Sequence, residues 1–357
     1  MEMWLLLNLI FDILNFFFIY LIVTLSLNLH YGYCGLPNLG LYFSVIGGGI
    51  IAAILPGNLM MLSFLKENNL SFIYDNEKVL SLLAPYVLRF EVAVPFFLLS
   101  LIIAFLFGAS LGLICALPAI RLREDYLAIS LICMGEALRI IFYYAEPIAR
   151  GRLGIRIPNL FAWLGDFLTI GKTAILGLIA GFIFLIINAL CNSPYGRLLK
   201  AIRENEVTAE CVGKNVNKIK LEVLIIGSGF AAIGGFLLAS SFAAVTPDAY
   251  TRIDWSFWPW LILMVGGMGN NVGIFIGTLL ILACRRLLIM SKHIFAPYLP
   301  FDVIWLEPIL LGILLLLIIA YRPSGILSEK SPRYKTLFGK TNDSILNDYT
   351  RGKELEK

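Results

Sequence analysis

Apolar residues along the chain fall in runs of about 20 separated by short polar stretches. That is the length a helix needs to cross a hydrocarbon core of roughly 30 Å. Nine segments qualify as spans or partial spans: 5–29, 36–55, 93–117, 125–144, 173–192, 219–241, 256–268, 272–290 and 305–321. The polar connections that matter are 56–92, 145–172, 193–218, 242–255 and the stretch after Tyr321, none of them large enough to form a separate soluble domain. The pattern predicts an all-α, polytopic transmembrane helix bundle with about 8–10 spans, some of them broken. The transmembrane domain covers 1–321 and a C-terminal tail covers 322–357.

Two apolar runs are interrupted by glycine and polar residues: Gly32-Tyr33-Cys34-Gly35-Leu36-Pro37-Asn38-Leu39-Gly40 and Gly266-Gly267-Met268-Gly269-Asn270-Asn271-Val272-Gly273. Unwound backbone survives in a membrane only where it lines a cavity or is covered by protein, so broken segments in the two halves of a transporter often mark its pathway. The same glycines also suit close helix contact or a tight turn. Both readings stand at this point. They make Asn28, Asn38, Gly40, Gly266 and Gly267 pathway candidates, with helix-to-helix hydrogen bonding as the plainer role for the two asparagines.

Glu136 and Arg139 lie three residues apart inside the apolar segment 125–144 and can pair on one helix face. A lone charge there costs roughly 2.5–3.5 kcal/mol even on lenient insertion scales, so neither is expected to face lipid. The pair is either a polar element beside the transport path or at a subunit contact, or a self-neutralised lock on helix packing. With Asp12 it makes up the central ionisable groups read from the spans, fewer than a proton relay commonly needs.

The stretch 193–213 carries the most information. Asn192 or Ser193 can cap a helix whose first position is Pro194, where proline's fixed φ is favourable. Leu198, Leu199 and Ile202 fall on one face, Arg197, Lys200, Arg203, Glu204 and Glu206 stay polar, and Gly213 supplies a stop. The result is a short amphipathic helix suited to docking on a partner, or to lying among lipid headgroups.

Composition narrows the remaining choices. The chain has 357 residues, 59% hydrophobic and 15% charged, with a formal charge of +4. An aqueous globule could not bury that much apolar surface. The basic residues form no stripe that could follow a phosphate backbone, so no nucleic-acid partner is expected. The six cysteines include no Cys-x-x-Cys pair and read as small buried hydrophobes, and two distant histidines offer no zinc site. Neither a metal nor a cofactor is expected in this chain. No clustered histidines or paired carboxylates suggest an integral membrane enzyme.

Placing 118–124, 193–218 and the tail inside puts 15 basic residues there, or 16 with Lys220, against 11 outside, with Arg139 set apart within its span. By the positive-inside rule the C-terminus is then cytoplasmic, and an odd span count places the N-terminus outside. The start, Met1-Glu2-Met3-Trp4, has no basic n-region or cleavage site, so the first helix is expected to stay attached. Gly165 followed by Gly171-Lys172-Thr173 imitates a phosphate-binding loop, but the spacing is wrong and no strand precedes it. Asn69-Leu70-Ser71 fits a glycosylation acceptor, a weak three-residue match.

Taken in order, several stretches resemble one family. Leu27-Asn28-Leu29 leads into spaced glycines ending at Asn38-Leu39-Gly40. Leu122-Arg123-Glu124-Asp125-Tyr126-Leu127-Ala128 precedes Gly135-Glu136, and Arg150-Gly151-Arg152-Leu153-Gly154-Ile155 follows. Ser193-Pro194-Tyr195-Gly196-Arg197, Lys200-Ala201-Ile202-Arg203-Glu204-Asn205-Glu206, Ala209 and Gly213 give the best match, before Gly266-Gly267-Met268-Gly269 and Arg322-Pro323-Ser324-Gly325. This series resembles the branched-chain amino-acid permeases of prokaryotic ABC importers, over roughly residues 25–325.

The resemblance implies a type II importer-like fold and a multi-pass place in the prokaryotic cell membrane, among membrane lipid. It implies transport of branched-chain or related amino acids delivered by an external solute-binding protein. It also implies a second, homologous or identical permease and two ABC ATPase subunits that use ATP and Mg. On that reading 193–213 is a coupling helix, with Pro194, Gly196, Arg197, Lys200, Ala201, Arg203, Glu204, Glu206, Ala209 and Gly213 facing the ATPase. A permease for urea or amides is the alternative within the family, and a stand-alone secondary transporter or channel the alternative outside it. The sequence departs from the family pattern at Asn38 to Leu41, Glu124 and Ala149 to Arg152.

Overall fold

The computed structural model describes residues 2–65, 70–119, 121–122, 124–295, 306–321, 325–327 and 329. Asn69, Arg123, the stretch 322–324 and most of the tail lie outside them, and with them the glycosylation match and most of the Arg-Pro-Ser-Gly motif.

Helices dominate. In chain order they are α1 (Glu2–Leu27), α2 (Tyr42–Phe64), α3 (Asn76–Val87), α4 (Phe90–Ala119), α5 (Glu124–Tyr144), α6 (Glu146–Ala149), α7 (Leu168–Asn192), α8 (Pro194–Glu204), α9 (Glu206–Cys211), α10 (Val216–Phe242), α11 (Trp258–Gly266), α12 (Asn271–Phe295) and α13 (Leu306–Tyr321). Two short strands, β1 (Ile155–Arg156) and β2 (Ala244–Val245), pair antiparallel with Ile155 opposite Val245. They clip the 145–172 connection to the end of α10, and Asn76 of α3 donates to the Arg156 carbonyl at 3.0 Å from the other side.

Among the described residues six helices are long and apolar enough to cross a membrane, or up to seven if a bent pair is one span. The sequence segments 256–268 and 272–290 turn out to be the arms of that pair, which meet at 119° across a break of a few residues. The segment 305–321 contains a shorter apolar helix, Pro308–Ile318. The second expected span starts late, at Tyr42, because 34–41 is not helical.

α10 lies at the centre and is buried along almost its whole length against α1, α2 and α4. Lipid tails are as apolar as leucine, so helices in a bilayer associate by close packing, and small residues permit it. A Cβ on Gly112 would lie 2.6 Å from the Leu224 carbonyl, one on Gly108 would strike Ala232, and one on Gly235 would strike the Val45 carbonyl. The glycines of α2, α4 and α10 therefore set the distances at which these three helices meet.

The outer helices α4, α5 and α7 keep large apolar residues exposed, among them Leu106, Ile129 and Leu185. On a membrane protein that surface is covered by lipid or by a neighbouring subunit. Cys34, Cys115 and Cys191 are buried as expected, whereas Cys133, Cys211 and Cys284 are exposed: Cys133 and Cys284 sit on outward faces of α5 and α12, and Cys211 at the end of α9.

Candidate functional site

The amphipathic stretch 193–213 forms two helices instead of one. Ser193 caps α8, its hydroxyl accepting from the Tyr195 N–H at 3.1 Å with Pro194 at the first helical position. The helix stops at Asn205, which takes an extended conformation and caps α9 by accepting from the Thr208 N–H at 3.0 Å. Gly213 closes the element with φ +81°, a left-handed conformation that glycine adopts without steric cost.

The two faces of α8 differ in kind. Leu199 and Ile202 are buried with Gly196, where a Cβ would strike the Cys191 carbonyl and force α8 away from the end of α7. Pro194, Arg197, Ala201 and Glu204, spaced by three, four and three residues, form an exposed stripe. Val207 and Val212 extend exposed apolar surface beyond it.

Lys200 and Arg203 do not belong to the stripe; they point into the protein. The carboxylate of Glu329 takes Lys200 Nζ at 2.6 Å and Arg203 Nη2 at 2.6 Å. Arg203 Nη1 also donates to the Gly32 carbonyl, and the Lys200 ammonium lies 5.3 Å from the centre of the Tyr33 ring. Burial works to raise the pKa of Glu329, but the hydrogen bonds and charges of Lys200 and Arg203 outweigh it and hold the carboxyl below its usual range. Glu206, expected to face a partner, pairs with the buried Lys220 at 2.5 Å and pins α9 to the first turns of α10. Ala209 is buried beside it. Tyr195 donates to Glu222 at 3.4 Å, and burial, followed by that carboxylate, pushes its phenol pKa upward.

Both glycine interruptions end at this network. α1 passes into a π-helical turn, Asn28–Tyr33, before the chain unwinds. Gly35, at φ +78°, lies against Arg203, where a Cβ would sit 3.0 Å from its Cγ. The second interruption, with Gly267 at φ +106° and Gly269 at φ +74°, makes the 119° bend.

Asn28 joins the two interruptions. Its amide donates to Asn271 Oδ1 at 2.9 Å and its carbonyl oxygen accepts from the Gly269 N–H at 3.0 Å, all fully buried. The tail is strapped to the same bend, since the Ile326 N–H donates to the Val265 carbonyl at 2.7 Å and the Leu327 N–H to the Gly266 carbonyl at 3.2 Å. Gly266 meets Gly273 and Gly277 backbone to backbone, so its part is close packing of α11 on α12.

The other pathway candidates lie further along the bundle. Asn38 Nδ2 and His30 Nδ1 are 3.2 Å apart, while Asn38 Oδ1 is buried with no hydrogen-bond partner among the described residues. Gly40 lets its loop touch α5, where a Cβ would strike the Leu131 carbonyl. On α5 the expected ion pair forms, Arg139 Nε to Glu136 Oε2 at 2.9 Å, and Tyr42 adds a 3.3 Å hydrogen bond to the same oxygen. With about a third of each side chain exposed, the pair looks out from the edge of the bundle instead of being sealed in the core. Gly171, Lys172 and Thr173 of the imitation phosphate loop are part of α7, with Gly165 in the 3-10 turn before it, and Lys172 donates to the Ser241 carbonyl at 3.2 Å.

Glu329 gives no signal in the sequence, because five acidic residues are scattered among eight basic ones in the tail and no periodicity singles one of them out. Two further charged residues are legible in the sequence. Arg285 and Arg286 interrupt an apolar segment, and with Asp254 they enlarge the set of intramembrane ionisable groups beyond Asp12, Glu136 and Arg139.

A family model described as the branched-chain amino acid transport system permease component matches residues 9–319. A probable branched-chain amino acid transport permease protein LivM of Methanocaldococcus jannaschii is 36% identical over 328 residues, covering 90% of this chain and 94% of that protein. The high-affinity branched-chain amino acid transport system permease protein LivM of Escherichia coli is 29% identical over 258 residues, 65% of this chain and 58% of that protein. The guanosine ABC transporter permease protein NupQ of Bacillus subtilis is 30% identical over 162 residues, 41% of this chain and 49% of that protein. No solved structure matches the chain significantly.

Proposed function

Because this chain belongs to the family of permease components of branched-chain amino-acid transport systems, we propose that it moves leucine, isoleucine, valine or a close relative across a prokaryotic cell membrane. It is a multi-pass transport subunit and not an enzyme. It works beside a second permease, takes substrate from an external binding protein and is driven by two ATPase subunits, which hold the ATP and Mg. The transmembrane domain covers 1–321, and α8, α9 and the tail from 322 lie on the cytoplasmic side. The excess of Lys and Arg in those segments supports this orientation.

The observation that carries the mechanism is the double attachment of α8. Its outer stripe, Pro194, Arg197, Ala201 and Glu204, is free to seat on an ATPase. Its inner face is bolted through Arg203 to the Gly32 carbonyl, where α1 breaks, and through Glu329 to the strap that holds the α11–α12 bend. Movement of the ATPase shifts α8 as a lever, and α8 pulls on both broken segments together. Irregular backbone covered by protein is where a membrane helix can change shape without exposing polar groups to lipid. ATP binding then biases one arrangement of the two segments and hydrolysis the other, which gives alternating access. Glu136, Arg139, Asn38 and Gly40, on the α2 and α5 side, line the path or its contact with the second permease.

Charge reversal at Arg197 tests the coupling role. Arg197 is exposed, so Arg197→Glu should change thermal stability by no more than about 0.5 kcal/mol. Binding-protein-dependent uptake in proteoliposomes of the full transporter should be lost. Unchanged uptake would remove α8 from the coupling role.

A further inference from the structure

The end of the bundle opposite α8 holds a cavity of about 480 Å³ between α1, the end of α10, the 244–255 connection and α12. Asp12, which approaches Arg286 of its wall, and Gly32 at the α8 network are separated along α1 by about 30 Å, a full membrane thickness. Most of its wall is apolar, including Ile13, Phe16, Leu282 and Ile289, yet it also contains Arg285, Arg286 and Asp254. Ionisable groups inside a membrane are costly and tend to mark pathways.

Two ion pairs meet there, and they are built differently. Arg285 is fixed: it reaches Asp254 Oδ1 at 2.5 Å and the Tyr20 hydroxyl at 2.5 Å, and lies 4.7 Å from the centre of the Trp258 ring. The other Asp254 oxygen accepts from Thr251 at 2.6 Å, and a π-helical turn, Ile253–Phe257, presents the carboxylate. Tyr20 in turn stacks on Trp255, ring centres 4.8 Å apart. The second pair is slack. Arg286 and Asp12 approach only to 3.6 Å, beyond hydrogen-bond length, and Arg286 Nε is buried with no partner among the described residues.

The geometry points to a site for a zwitterionic α-amino acid with an apolar side chain, held on the permease itself. The ligand's α-carboxylate bonds the Arg286 guanidinium in the cavity wall. Its α-ammonium takes the Asp12 carboxylate, and its side chain lies against Ile13, Phe16 and Leu282. A zwitterion placed between Arg286 and Asp12 replaces one long contact with two charge-assisted hydrogen bonds and adds no net charge to the site. An amine or a carboxylic acid alone satisfies only half of it. Arg285 and Asp254, already committed to each other, form the rigid wall. The inference rests on the importer reading, for which it supplies a landing place where substrate leaves the binding protein.

The test uses the complete complex of permeases and ATPases in lipid nanodiscs without binding protein. L-leucine, leucinamide and 4-methylpentanoate are titrated calorimetrically. Leucine should bind saturably, and each analogue, lacking one charge, at least tenfold more weakly. Arg286→Gln and Asp12→Asn should each weaken leucine binding at least tenfold, and Arg286→Lys should recover part of the loss. Asp12 is more than half exposed, so its substitution reads the site even if Arg286→Gln assembles poorly. Absence of leucine binding to the native complex, equal binding of the analogues, or Arg286→Gln and Asp12→Asn affinities within twofold of native would overturn the site. Binding-protein-dependent leucine uptake by the native complex is read separately. Its absence overturns the importer reading, whereas uptake with binding indifferent to Arg286 and Asp12 overturns this site alone.

Discussion

Replacing Glu329 should detach the tail strap from α8 and leave the rest of the bundle standing. The carboxylate holds two cations at 2.6 Å each, and with 21% of its side chain exposed, against 30% for Lys200 and 25% for Arg203, the three groups are only partly in water. A fully buried pair broken on one side costs about 3–5 kcal/mol, and an exposed pair about 0–1 kcal/mol. For this intermediate site, with Arg203 keeping its bond to Gly32, roughly 2 kcal/mol follows from those limits for Glu329→Ala. At about 1.4 kcal/mol per factor of ten, that is about a 30-fold rise in the undocked population of the strap.

The strap's docking is reported by two amides, Ile326 and Leu327, whose N–H groups bond the Val265 and Gly266 carbonyls. Their hydrogen exchange should accelerate about 30-fold in Glu329→Ala, while that of the buried centre of α10 stays within about threefold. Unchanged exchange at 326–327 would show that the strap is held by its backbone bonds and not by the carboxylate. Equal acceleration in α10 would show global destabilisation instead, and in either case the link between α8 and the bend loses its support.

The same strap should respond to pH. The pKa of Glu329 is lower folded than unfolded, so its contribution is complete above the unfolded carboxylate value of about 4.3. It is lost as pH falls through the lower folded value. After correction for intrinsic rates, exchange at 326–327 should be flat above about pH 5 and rise only on acidification below about 4; a rise near neutrality would point to another group. Asn28→Ala should strip the buried Gly269 N–H of its acceptor and Asn271 of its donor. At about 1–3 kcal/mol for each of these two buried groups left unsatisfied, it should destabilise the protein by roughly 2–6 kcal/mol. Thermal unfolding in nanodiscs measures this, and a loss under about 0.5 kcal/mol would mean that water replaces both bonds.

Patterning along the chain determined that this is a membrane bundle, where most of its long apolar helices run, that two apolar segments break, and that a capped helix begins at Pro194. Those features depend on neighbours in sequence: the length of an apolar run, the backbone limits of proline and glycine, and the i, i+3 spacing that pairs Glu136 with Arg139. What the breaks touch was decided only in three dimensions. Asn28 and Asn271 are 243 residues apart, and Arg203 and Glu329 126. No local periodicity connects such residues. The inward turn of Lys200 and Arg203, which separates the lever's bolts from its docking stripe, depends on an acceptor more than 100 residues away. For the same reason Arg285 and Arg286 look alike in sequence: one is clamped by Asp254 and Tyr20, the other meets Asp12 loosely, and the packing of α12 against α1 and the 253–257 turn makes that difference.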